Sequence, residues 1–229
     1  MRCPELAATR KTVVFGAGNA DAELMFVGEA PGASEDEQGL PFVGRAGKLL
    51  NTLLEEVGMQ REDVFIANTL ECRPPGNRDP LPIELENCQE YLLRQVELIA
   101  PTVICTLGNF STKLLRGDPT GITRLHGQPE VRVLGARAVR LYPIYHPAAA
   151  LYTPRMLETL REDFARLPEL LALGPPVQPE GVQEPVQEAN AEPPEGMREA
   201  VRERASVRER ASVQEPADGG PEADQLGLF

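Results

Sequence analysis

Short unbroken apolar runs alternate along this chain with stretches in which apolar residues recur every three or four positions. Leu24–Val27, Val64–Ala67, Thr102–Leu107 and Ala138–Ile144 are runs of strand length, and such continuous runs mark strands buried on both faces. Between them, Ala46–Val57 carries Leu49, Leu50, Leu53, Leu54 and Val57 at helical spacing, with Gly58 as its stop. A second helix carries Leu85, Cys88, Leu92, Val96 and Ile99 on one face and closes at Pro101. Gly108 opens a short helix to about Arg116, and a last helical stretch from Pro154 to Leu173 is interrupted or kinked near Pro168. Val131–Val133 and Ala138–Ile144 read as a hairpin pair. Residues 1–23 read as a polar lead-in, with a hairpin possible around Phe15. Glycine and proline break residues 28–44 and 72–82 into long loops. Strands alternating with helices predict a three-layer α/β/α fold around a central four-stranded, mainly parallel sheet.

Composition divides the chain. Residues 1–173 carry a net charge of −5 and residues 174–229 a net charge of −7, which make up the chain's −12. The acidity therefore belongs largely to the end of the chain and leaves room for a local basic face against nucleic acid. From Gly174 onward Pro, Glu, Gln, Val and Ala dominate, and Val-Arg-Glu-Arg-Ala-Ser occurs twice in tandem, at 201–206 and 207–212. Such a segment has too little apolar surface to offset its ordering entropy. The expected organisation is a domain over 1–173 and a disordered tail over 174–229. No apolar run approaches the ~20 residues of a membrane span, and no signal-like segment opens the chain, so a cytoplasmic, non-membrane, monomeric protein is expected. In that compartment Cys3, Cys72, Cys88 and Cys105 suggest metal binding or burial before disulfides.

The candidate chemistry gathers at strand ends. Leu24–Val27 leads into Gly-Glu-Ala-Pro-Gly and then Pro41-Phe42-Val43-Gly44; Val64–Ala67 ends at Asn68; Ala138–Ile144 leads into Tyr145-His146-Pro147-Ala148. In an open α/β sheet the carboxyl ends of strands are where ligands bind, so these three segments converge on one edge. Taken by itself the first loop would suit a phosphate, and a nucleotide-binding α/β protein is one reading. Taken together, Gly-Glu-Ala-Pro-Gly, Gly-x-Pro-Phe-Val-Gly-x-Ala-Gly, a strand ending in Asn, Cys-Arg-Pro-Pro and His-Pro-Ala resemble the family 4 uracil-DNA glycosylases. These are the iron–sulfur, thermostable-type members of the uracil glycosylase superfamily. The resemblance covers roughly residues 3–170.

It implies a monofunctional glycosylase that hydrolyses the bond between sugar and flipped-out uracil and leaves an abasic site. No Lys falls within the matched motifs to form a Schiff base. The roles implied for single residues are chemically sensible. Phe42 would stack on the base, and the amide of Asn68 would meet uracil O4 and N3–H, an acceptor–donor order that cytosine reverses. His146 would donate to O2 as charge develops there. Gly28 and Ala30 line the uracil site, Glu35 guards the C5 edge, and Glu29 sits near the chemistry, although Ala30 stands where other families carry a water-positioning Asp. Asp36 and Glu37 read as solvated, and His126 as a surface residue. Arg45, Leu151 and Arg155 are the candidate DNA contacts, with Leu151 as a wedge; Tyr152 stands where relatives often have a basic residue.

The resemblance further implies a 4Fe-4S cluster on Cys3, Cys72 and Cys88, the fourth thiolate being expected upstream of Met1; Cys105 reads as a buried strand residue. The terminal Gln225-Leu226-Gly227-Leu228-Phe229 resembles a bacterial sliding-clamp binding pentapeptide, Gln225, Leu226, Leu228 and Phe229 being its contacts. The alternative is an iron–sulfur DNA-binding protein of the same fold with weak or no catalysis.

Overall fold

A computed structural model describes residues 2–181; the tandem repeat and the terminal pentapeptide, with Gln225, Leu226, Leu228 and Phe229, lie outside the described residues. Six strands form one sheet, β1 (Ala17–Gly18), β2 (Leu24–Gly28), β3 (Phe65–Asn68), β4 (Val103–Leu107), β5 (Glu130–Leu134) and β6 (Arg137–Ile144), in the order β1-β3-β2-β4-β6-β5. The inner four are mutually parallel. Two antiparallel edge strands extend the expected four: β5 pairs with β6 as the anticipated hairpin, and β1 pairs with β3. The lead-in thus forms no hairpin around Phe15; its two-residue strand adds to a partner more than forty residues away, and Gln95 fixes it by donating to the Phe15 carbonyl.

Nine helices flank the sheet among the described residues: α1 (Pro4–Thr9), α2 (Ala33–Gln38), α3 (Arg45–Glu56), α4 (Pro82–Ile99), α5 (Asn109–Arg116), α6 (Ile122–Leu125), α7 (Pro147–Ala150), α8 (Pro154–Ala165) and α9 (Leu167–Ala172). The period of two along β2 sends Leu24 and Phe26 to one face and Met25 and Val27 to the other. On the first face Leu50, Leu53 and Leu54 of α3 pack with Leu160 and Phe164 of α8, and Phe26 stacks on Phe164 at 5.8 Å. On the second, Leu92 and Val96 of α4 pack with Leu115 of α5. The last helical stretch breaks at Arg166, two residues before Pro168, whose ring cannot continue the α8 ladder. No helix among the described residues is long and apolar enough to cross a membrane.

Register places the site. Gly28 lies opposite Asn68, Val27 opposite both Ala67 and Thr106, and Leu107 opposite Ile144. Gly28, Asn68, Gly108 and His146 therefore leave the sheet at one edge and at one level.

Candidate functional site

Asn68 ends β3, 4% exposed, and neither its side-chain nitrogen nor its side-chain oxygen has a hydrogen-bond partner. Leaving such an amide unpaired costs about 1–3 kcal/mol per group, so both of its polar atoms are candidates for contact with a ligand. Gly28 leaves the space in front of it: a Cβ there would stand 2.4 Å from Asn68 Oδ1 and 2.7 Å from the Phe42 ring. Any larger residue at position 28 would fill the gap between amide and ring. Main-chain bonds hold this edge, since Thr69 N donates to Gly28 O and both Leu70 N and Thr69 Oγ1 donate to Glu29 O.

Phe42 is buried and has φ +50, a left-handed conformation that non-glycine residues rarely adopt. Its ring stacks on His146 with centroids 5.5 Å apart. One oxygen of Glu35 accepts from both Val43 N (3.0 Å) and Gly44 N (2.8 Å), so this carboxylate braces the turn that carries the ring. Gly47 is required by the same turn, because a Cβ there would lie 1.8 Å from the Phe42 carbonyl oxygen.

His146 caps α7. Its Nδ1 accepts from Ala148 N at 3.0 Å, which assigns the ring's proton to Nε2 and leaves that N–H as the available donor. Burial drives its pKa from the ordinary 6.5 down to about 4, against a smaller opposing pull from Glu35. The ring is therefore a neutral imidazole at physiological pH. Gly108, at φ +90, lets β4 pass close to it, the position of a Cβ lying 3.2 Å from the His146 Cβ. Glu29 is half-buried, and burial, then the nearby Asp79, hold its carboxyl above the ordinary range. Ala30 packs its methyl against the cluster formed by Leu6, Leu70, Cys72 and Cys88.

Two expectations need correcting. Asp36 is not solvated: it is 2% exposed, and its Oδ1 accepts from Lys11 N and Thr12 N, tying the lead-in to α2. Its neighbour Glu37 does face solvent, paired with Lys11. His126 is part-buried, with Nδ1 3.3 Å from Asp163 Oδ2 and its ring 4.6 Å from that of Tyr145, the residue before His146. It is a prop under the His146 turn, disguised in the sequence by its turn-like Leu-His-Gly-Gln-Pro surroundings. Beside the pocket Arg45, Leu151, Tyr152 and Arg155 are exposed. Arg45 Nη2 donates to Tyr152 Oη at 2.7 Å, its guanidinium 5.6 Å from the ring centroid, so Tyr152 carries a cation with it.

Cys3, Cys72 and Cys88 share one cluster with Leu6, Leu70 and Leu85, whereas Cys105 is fully buried in β4 apart from them. Cys72 Sγ accepts from Arg10 Nη1 at 2.7 Å and Cys3 Sγ from Asn87 Nδ2 at 3.5 Å. Burial raises the Cys72 thiol and pushes Cys88 to about 11, so ionising them calls for a strong adjacent positive charge such as a metal's. Among the described residues no three or more such side chains stand in a ready metal-binding arrangement. The three thiols are soft donors, right in kind for iron and sulfide, but they are one short of four and are not arranged around a common point.

The profile of the Uracil DNA glycosylase superfamily matches residues 15–169. A type-4 uracil-DNA glycosylase of Archaeoglobus fulgidus is 46% identical over 170 residues, covering 72% of this chain and 85% of the relative. One of Saccharolobus solfataricus is 47% identical over 171 residues, covering 72% and 79%. A type-5 uracil-DNA glycosylase of Pyrobaculum aerophilum is 30% identical over 200 residues, covering 72% and 86%.

Proposed function

The chain belongs to the uracil DNA glycosylase superfamily, and on that premise we propose that it hydrolyses the N-glycosidic bond of uracil flipped out of DNA, opening base excision repair. The observation that carries the reading is the Asn68 amide, buried with both polar atoms free, behind a gap that Gly28 keeps open beside Phe42. With Nδ2 turned toward O4 and Oδ1 toward N3–H, this donor and acceptor complement uracil and oppose the reversed pair of cytosine. Phe42 stacks on the extruded ring. As the C–N bond lengthens, negative charge develops on the leaving base, and His146 Nε2–H donates to O2. A neutral imidazole suits this role, because its donor is pre-aimed and needs no proton from solvent.

With Ala30 beside it in place of a carboxylate, Glu29 is the acid left to orient the attacking water, and the bond breaks largely before that water adds. Glu35 acts through the turn it braces and keeps the C5 edge narrow. Arg45 and Arg155 contact phosphates, and Leu151 holds the flipped state open. The test is base release from oligonucleotides carrying one uracil, single- and double-stranded: free uracil, an intact strand, and scission only after alkali are expected. DNA binding without release would favour the non-catalytic iron–sulfur alternative.

Residues 1–173 form the catalytic part in this reading. Cys3, Cys72 and Cys88 would hold the 4Fe-4S cluster with a fourth ligand; such a cluster supplies structure here, since hydrolysis transfers no electrons. Protein purified without oxygen is expected to carry about four irons per chain and to lose them in Cys72→Ala and Cys88→Ala. Colourless, iron-free and fully active protein would overturn the assignment. The tail would tether the enzyme to a replication sliding clamp through Gln225, Leu226, Leu228 and Phe229, a linker raising the local concentration near DNA. Deleting residues 225–229 should abolish clamp capture and spare excision from free oligonucleotides; capture that survives the deletion would end the idea.

A further inference from the structure

The Phe42 turn is held from both sides by charged side chains. On its N–H side Glu35 accepts from Val43 and Gly44. On its carbonyl side stands Arg61, from the short 3₁₀ turn Arg61–Asp63 that precedes β3. One of its nitrogens, Nη1, donates to Phe42 O and to Asn51 Oδ1, each at 3.1 Å, and Nη2 donates to Pro41 O. The guanidinium is part-buried, and burial works against its charge. That cost is sustained at a turn where a bulky residue sits at positive φ. Gly47 lets the backbone of α3 close on the Phe42 carbonyl, so the peptide is confined between α3 and the arginine.

We infer that Arg61 is a positioning residue, its guanidinium fork holding the Pro41 and Phe42 carbonyls so that the Phe42 ring is pre-set for the flipped base; this rests on the proposed excision of uracil. The three acceptors, two main-chain carbonyls and a side-chain amide, are shared between two nitrogens held a fixed distance apart in the planar guanidinium, which the single nitrogen of a lysine cannot reproduce. A lysine could serve one or two of them. Released from the clamp, residue 42 relaxes toward negative φ and the ring swings off the base, while the groups that touch DNA stay where they are.

The test is a double-mutant cycle in single-turnover uracil release, with Arg61→Met, Phe42→Ala and both together. Arg61→Met should slow release by about 100-fold, the scale of an ångström-sized misplacement at a reacting centre, with affinity for DNA lacking uracil unchanged. Arg61→Lys should recover part of the loss. In the Phe42→Ala background the Arg61 substitution should cost almost nothing more, because the ring through which it acts is gone. Equal fold losses in the two backgrounds would overturn the inference and leave Arg61 a general structural contact. If the methionine variant fails to fold, Arg61→Lys with and without Phe42→Ala poses the same question. Should wild-type protein release no uracil, the proposed function falls by itself. The cycle is then read from affinity for an oligonucleotide carrying pseudouridine, whose C-linked base is not hydrolysed, with the same non-additivity expected and additivity again overturning it.

Discussion

Asn68→Ala is expected to slow single-turnover uracil release by about a thousandfold, the equivalent of losing two buried hydrogen bonds at about 2 kcal/mol each. The same change should leave the melting temperature at or above that of wild type. Ordinarily truncating a buried polar side chain destabilises a protein, because partners are orphaned. Here neither the Asn68 nitrogen nor its oxygen has a partner to orphan, and the substitution removes two unsatisfied polar atoms from the interior. Activity down and stability up is the signature of a site holding unpaired groups for a ligand. A lower melting temperature would mean that the amide supports the fold. Asn68→Asp should move selectivity rather than abolish it: a protonated carboxyl presents an acceptor and a donor in the order that cytosine's amino group and N3 require, so cytosine release should appear and grow as pH falls.

His146→Ala is expected to cost about 100- to 1000-fold in the chemical step with DNA affinity retained, the range for removing one pre-aimed donor to a developing oxyanion. Its pH signature separates it from a role as an acid. The buried ring has a pKa of about 4 instead of 6.5, so it is neutral across the physiological range. His146 should therefore give wild-type release no inflection near pH 6.5 and should contribute only as pH falls toward 4, where protonation of Nδ1 breaks the bond from Ala148. The linked effect on stability has a definite sign. Between pH 6.5 and 4 the unfolded chain takes up the proton that the folded chain refuses, so folding stability declines as pH falls through that window. The slope is at most about 1.4 kcal/mol per pH unit, and it should flatten in the alanine variant. Denaturation curves at several pH values measure it; identical slopes in wild type and variant would mean that the ring takes up its proton alike in the folded and unfolded chain, so that burial does not lower its pKa.

The two cores were legible because parallel strands buried on both faces have to be written as unbroken apolar runs, and because α3 and α4 repeat their leucines at helical spacing. Phe42, Asn68 and His146 were legible as a set because each comes after such a run, and a parallel sheet gathers the residues at its strands' carboxyl ends along one edge. The strand Ala17–Gly18 was not, since two small residues carry no period, and neither was α2, whose sequence Ala-Ser-Glu-Asp-Glu-Gln offers no apolar face. Asp36, Arg61 and His126 were misjudged or missed for a common physical reason. Each is held by a partner distant in sequence: Asp36 by the amides of Lys11 and Thr12, Arg61 by the carbonyls of Pro41 and Phe42, His126 by Asp163 and Tyr145. A charged residue in a polar turn looks solvated until the chain that closes over it is known.

That the unpaired Asn68 amide reads the edge of a flipped uracil is tested most directly by NMR, observing its side chain during titration with a single-stranded oligonucleotide carrying one pseudouridine. The side-chain N–H₂ resonances of Asn68 are expected to move strongly as the strand binds, and an otherwise identical strand carrying cytosine is expected to bind without moving them. Resonances unmoved by the bound pseudouridine strand, or moved equally by cytosine, would contradict that role.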